Sequence, residues 1–187
     1  MKRPPSMPTH VALLRGINVG GHKKIRMQEL RGLCESKGFA NVETYVQSGN
    51  LIFDSPERDP LSVAKSIHQV VLDRYGFDVP IIVRTKERFQ KIIGANPLLG
   101  KDGVDESKLA VVFLSEKPTA AGAKNLGTVD PGPDRFHIDG RHIYLYCPSG
   151  FARTKLTNNL FEKRLGVKAT ARNWRTVNAL FDMLGQR

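Results

Sequence analysis

Two stretches of the chain run through nearly the same succession of apolar patterns, and no other feature narrows the possible folds as far. In the first, VALL after His10 carries apolar residues on both faces, as a strand inside a sheet does. RMQELRGLCESKG then sets Met27, Leu30, Leu33 and Cys34 at helical spacing and stops at Gly38. NVETYVQSGNLIFD reads as two strands about a turn at Ser48, Gly49 and Asn50, residues that tolerate positive φ. Asp59-Pro60 opens a second helix with Leu61, Ala64, Ile67, Val70 and Val71 on its inner face, Gly76 ends it, and VPIIVRT is a fourth strand. The order is βαββαβ, a split βαβ unit.

TKERFQKIIGANP predicts a connecting helix capped by Thr85, and LLGKDGVDESK a polar linker. The pattern then restarts. KLAVVFLS is a strand, PTAAGAKNL a glycine-weakened helix, and DRFHIDGRHIYLYCP a hairpin turned at Asp139-Gly140. TKLTNNLFEKRLG is a helix with Leu156, Leu160, Phe161 and Leu165 inward. Where a last strand belongs there are only a few extended residues, and Trp174, Val177, Leu180, Phe181 and Leu184 then mark a closing helix with Arg172 and Arg175 on its first turn. These patterns predict an α+β fold of duplicated ferredoxin-like units, with mainly antiparallel sheets and a C-terminal helix. The expected boundaries are a flexible lead-in over 1–9, a first unit over 10–84, a connecting helix and linker over 85–107, and a second unit over 108–187.

Composition adds one strong bias. Lys and Arg outnumber Asp and Glu by 29 to 18, and the excess sits at the two ends. Residues 1–37 and 150–187 each carry eight basic and two acidic side chains, whereas the middle is close to neutral. Such concentrations are either solvated faces or a means of meeting an anionic partner. The two cysteines, Cys34 and Cys147, are far apart in the chain, with no CxxC pair, and read as reduced core thiols. The first ten residues hold three prolines and no apolar stretch, and nowhere is there an apolar run of about 18 residues that spans a bilayer. A cytoplasmic protein is expected.

Four stretches are candidates for a site. LLRGINVGG joins a strand to a helix, where free amides and a helix N-terminus hold phosphates; Gly16, Gly20 and Gly21 free the backbone, and Arg15, Lys23, Lys24 and Arg26 supply charge. It matches neither GxGxxG nor GxxxxGK[ST], and a plain tight turn remains open. Gln47, Ser48 and Asn50 follow one another at a hairpin tip, and Ser48 lacks the GxSxG setting of a hydrolase nucleophile. SGFARTKLTNN puts Arg153 and Lys155 at an expected helix start, and TARNWRT puts Arg172 and Arg175 at another, where positive charge opposes the helix dipole unless an anion compensates it. The histidines show no HxxxH or HExxH spacing, so no metal and no cofactor is expected.

Taken together, LLRGINVGG, KKIRMQELR, TYVQSGNLIF and LTNNLFEKRLGVKATARNWRTVNAL resemble the family called domain of unknown function 1697, over nearly the whole chain. The resemblance implies a bacterial cytosolic protein with duplicated ferredoxin-like units and no established activity. Positions matching its signature are Arg15, Gly16, Asn18, Gly20 and Gly21, then Gln47, Ser48, Gly49 and Asn50. Lys155, Leu156 and Thr157 follow, and last Thr170, Arg172, Asn173, Trp174 and Thr176. Where the family commonly has a small residue and serine before the lysine, this chain reads Ala152-Arg153-Thr154.

Three functions fit these residues. The first is binding of a phosphate-bearing ligand, a nucleotide or nonspecific nucleic acid, at a basic surface, in a cradle formed by Arg15, Lys23, Lys155 and Arg172 if the chain ends meet. The second is an enzyme of unrecognised mechanism using Arg15, Asn18, Gln47, Ser48 and Arg172 on a small acidic substrate. The third is a structural or partner-binding protein whose signatures maintain turns and caps. The basic-glycine-aromatic strand signature of an RNA recognition domain is missing, which disfavours base stacking.

Overall fold

The computed structural model describes residues 7–187, so residues 1–6 of the expected lead-in lie outside the described residues. The protein is α+β, with two four-stranded antiparallel sheets. Contacts divide it into two compact units, one comprising residues up to Lys91 with Asp182–Arg187, the other Ile92–Phe181.

The first unit contains β1 (Thr9–Leu14), α1 (Met27–Ser36), β2 (Ala40–Tyr45), β3 (Asn50–Asp54), α2 (Pro60–Tyr75) and β4 (Ile81–Thr85), followed by α3 (Lys86–Gly94). Its sheet order is β2-β3-β1-β4. The central strand β1 is buried on both faces, which explains its unbroken apolar run. Even-numbered Ala12 and Leu14 join Leu51, Phe53 and Val83 on the face covered by α1 and α2, where they meet Leu30, Cys34, Ile67 and Val71. Each fully buried aliphatic side chain there contributes about 1.5–3 kcal/mol. Asp59 sets the start of α2, accepting hydrogen bonds from the amides of Leu61 and Ser62, and Gly76 ends it at φ +69°. Leu61, expected on the inner face, is 60% exposed; Val63 is buried instead, so the apolar stripe starts two residues later.

In the second unit a short 3-10 turn at Glu106–Lys108 precedes the sheet. It contains β5 (Leu109–Leu114), α4 (Ala120–Gly127), β6 (Arg135–Asp139), β7 (His142–Tyr146), α5 (Asn158–Leu165) and β8 (Ala169–Asn173), with α6 (Trp174–Gly185) next in the chain. Its sheet order, β6-β7-β5-β8, repeats that of the first unit position for position. Ala110, Val112, Leu114, Ile143, Leu145 and Ala171 form the inner face with Phe161 and Leu165 of α5.

Three expectations need correction. The last strand is complete: Ala169 to Asn173 pair with Leu114 to Ala110 of β5, so Arg172 lies opposite Val111 in a sheet and not on a helical turn. The closing helix starts after it, at Trp174, which is buried as core. Likewise α5 begins only at Asn158, with Thr157 as its cap accepting from the Leu160 amide, so Arg153 and Lys155 precede the helix.

Candidate functional site

In the first unit, the segment between β1 and α1 makes repeated left-handed turns. Gly16, Asn18, Gly20, Gly21 and Lys23 all have positive φ, between 45° and 80°. A Cβ at Gly16 or Gly21 would meet nothing within 4 Å, so glycine is needed there for backbone conformation and not for close packing. Gly49 is different. A Cβ on it would lie 2.7 Å from Leu14 Cβ and 2.8 Å from Ile17 Cδ1, and its carbonyl accepts from the Leu14 amide at 2.8 Å.

Asn18 ties this loop to its surroundings. Its Nδ2 donates to the carbonyls of Ile25 (2.9 Å) and Gln47 (2.7 Å), and its Oδ1 accepts from the Ile25 amide at 2.8 Å. The glycine-rich loop and the β2–β3 turn are thereby tied together through Asn18 and Gln47. Asn50 is fully buried and donates from Nδ2 to Tyr45 O and Ser48 Oγ, holding the turn from inside. Lys23 places its ammonium on the Asp78 carbonyl at 2.6 Å, and the Arg15 amide donates to Pro80 O at 2.9 Å.

Beside this assembly is a groove of about 1050 Å³, lined by Asn18 and Gln47 together with Lys24, Arg26, the first turn of α1, Arg74 and Tyr75. Its distinguishing feature is the start of α1. Arg26 occupies the N-cap and makes no side-chain cap hydrogen bond. The other α-helices start on a side-chain oxygen: Asp59, Thr85, Thr119, Thr157 and Asn173 accept from amides of α2, α3, α4, α5 and α6. The amides of the first turn of α1 receive no side-chain cap from Arg26, and the groove beside them is lined by Lys24, Arg26 and Glu29, the last held by Arg74. Arg74 is partly committed: it grips Glu29 from Nε at 2.7 Å and holds that carboxyl below its usual range. Burial, and then Glu29, push the Tyr75 hydroxyl up to about 12.

The remaining candidates lie in the second unit. Lys155 is exposed in the segment ahead of α5. Arg172 is buried in β8, donating to Thr170 Oγ1 at 2.7 Å and to Ala171 O at 2.8 Å, and burial lowers it to about 10. Asn173 caps α6 through Oδ1, which accepts from the Thr176 amide at 2.8 Å. Thr154 donates to Asp134 and accepts from the Leu156 amide. Both cysteines are free and buried, and burial pushes their thiols up, Cys34 to about 12 and Cys147 to about 11, which makes them poor nucleophiles at neutral pH. Among the described residues no cluster of His, Cys, Asp and Glu has metal-binding geometry, and no helix is long and apolar enough to cross a membrane.

Of the four basic residues that the sequence offers in this loop, Lys24 and Arg26 line the groove, and Arg15 and Lys23 are outside its lining. The signal available was the position of Arg26 directly before Met27, where a capping oxygen is usual.

The fold and this loop assembly define an α+β protein with a glycine-turned βα connection. The profile of the family described as "Protein of unknown function (DUF1697)" matches residues 7–144, and the chain belongs to that family. Among solved structures, a conserved bacterial protein from Streptococcus pneumoniae is similar, with TM-score 0.77 and 22% sequence identity, covering 96% of this chain and 99% of that one. At that identity the likeness is one of fold. No curated protein matches the chain.

Proposed function

We propose that the first unit binds a phosphate-bearing or similar anionic ligand, a nucleotide or a stretch of nucleic acid backbone, in the groove at the start of α1. The uncapped N-terminus of α1 carries this reading. Amides that lack a cap are good donors to an anion, the helix dipole favours negative charge there, and Lys24 and Arg26 add net charge at the same place. The glycine-rich loop is the scaffold that holds this end of α1, through the two-way bond between Asn18 and Ile25. In this reading the protein is cytosolic and bacterial, and each unit is a copy of one ferredoxin-like βαββαβ fold, a duplication supported by the matching sheet orders. The site named here belongs to the first unit alone; Lys155 and Arg172 are not needed for it.

The test is Arg26→Ser. Serine supplies the missing cap and removes a charge, so the variant gains about 1 kcal/mol of stability while losing affinity for the ligand. The measurement is a thermal-shift comparison of wild type and variant with inorganic phosphate, ATP and a short single-stranded oligonucleotide, since a ligand of the native state raises its melting temperature. Equal ligand-induced shifts in the two proteins would remove the groove from consideration.

A further inference from the structure

The second unit has a cleft of its own, about 320 Å³, on the helix-covered face of its sheet. Its floor is Ala110 of β5, Leu145 of β7 and Ala171 of β8, and its rim includes Phe151, Asn158 and Asn173. The first unit shows what the same place holds when the chain fills it. Ala110 is paired with Leu145 on one side and Asn173 on the other. In the first unit the corresponding residue of the central strand, paired with Phe53 and Thr85, is His10. There the imidazole is stacked on Phe53 with centroids 5.9 Å apart, and Phe39 is stacked on the same ring at 4.7 Å. The pair His10 and Phe53 in one unit is thus Ala110 and Leu145 in the other, and the difference is planar, aromatic volume.

The chemistry of the lining narrows what replaces it. No charged side chain lines the cleft, so it does not select an ion. The Asn158 carboxamide oxygen is buried and has no hydrogen-bond partner, a state that costs about 1–3 kcal/mol unless a donor arrives. Phe151, 37% exposed, offers an aromatic face at the mouth. A volume near 300 Å³ is at the small end for ligand sites. We propose that this cleft binds a small, neutral, planar nitrogen heteroaromatic, with a ring N–H donated to Asn158 Oδ1 and its face over Ala110 and Ala171. This site is independent of the anion groove, which is in the other unit.

The experiment is an amide-resolved NMR titration of the whole chain with benzimidazole and with adenine, and with cyclohexanol as a non-planar control. Both heteroaromatics are expected to shift the amides of Ala110, Phe151, Asn158 and Ala171 while leaving Arg26 and Met27 unmoved. Asn158→Leu removes the acceptor on a partly exposed helix start and weakens binding about tenfold, the loss of one buried hydrogen bond. The double substitution Ala110→His with Leu145→Phe rebuilds the stack of the first unit and abolishes binding; where that variant fails to fold, Asn158→Leu alone decides. The proposal is overturned if neither heteroaromatic shifts these amides up to its solubility limit. It is equally overturned if cyclohexanol shifts them as strongly, or if Asn158→Leu binds as well as wild type.

Discussion

Gly49 and Gly21 have the same φ, +80°, and very different surroundings. For Gly21 a side chain would point into open space, so Gly21→Ala carries only the left-handed backbone penalty, about 1–2 kcal/mol. For Gly49 the same penalty is joined by overlap with Leu14 and Ile17, which are buried and have no room to retreat, adding about 1–3 kcal/mol. Urea denaturation of the two variants is expected to rank Gly49→Ala as clearly the more destabilised; equal losses would mean the turn relaxes freely. Both glycines are part of recognisable motifs in the sequence, but nothing in QSGN distinguishes a glycine required by its neighbours from one required by its own φ. Val46 is a further case that pattern reading passes over: a β-branched residue at φ +50°, half exposed, beside the Asn18 anchor to Gln47.

At the scale of elements, the central strands β1 and β5 do the same topological job with different polar content. His10 in β1 is fully buried, with neither ring nitrogen in a hydrogen bond of good geometry, although the backbone of Pro8 and Arg58 is close. Burial lowers its pKa below the ordinary 6.5, against the smaller opposing pull of those backbone groups and of Glu87 and Asp54. The unfolded chain therefore binds a proton at His10 more readily than the folded one does. Stability contributed by the neutral imidazole is complete above about pH 6.5 and is lost as pH falls through and below that value. Denaturant unfolding at pH 7.5 and pH 5.5 is expected to show that loss in wild type and a smaller one in His10→Phe; identical pH dependence would place the titration elsewhere. The strand itself was legible, since VALL is apolar on both faces. The last strand was not: Ala169–Asn173 reads as polar and short, and it becomes a strand because β5 offers a hydrogen-bonding edge over its whole length.

For the whole molecule, the surplus of +11 is the property most open to a simple measurement. If it serves an anionic polymer, binding of a fluorescent single-stranded oligonucleotide weakens between about 50 and 200 mM salt by roughly 50-fold for four phosphate contacts. Anisotropy titrations at several salt concentrations check this, and a flat response would count against any backbone contact. That surplus, the α+β class, the succession of strands and helices and the position of most turns are written in the sequence itself. Charge is additive, and the periods of 2 and 3.6 are properties of a local chain. What only the tertiary structure decided was the environment of each polar side chain. Arg172 looked like a helix-start cation and is a buried strand residue bonded to Thr170; Lys23, one loop cation among four in sequence, donates to a carbonyl 55 residues away. Arg26, one basic residue among several in sequence, stands alone at an uncapped helix start. These outcomes depend on which strand edges and helix ends come together, and such contacts join residues that no local pattern relates.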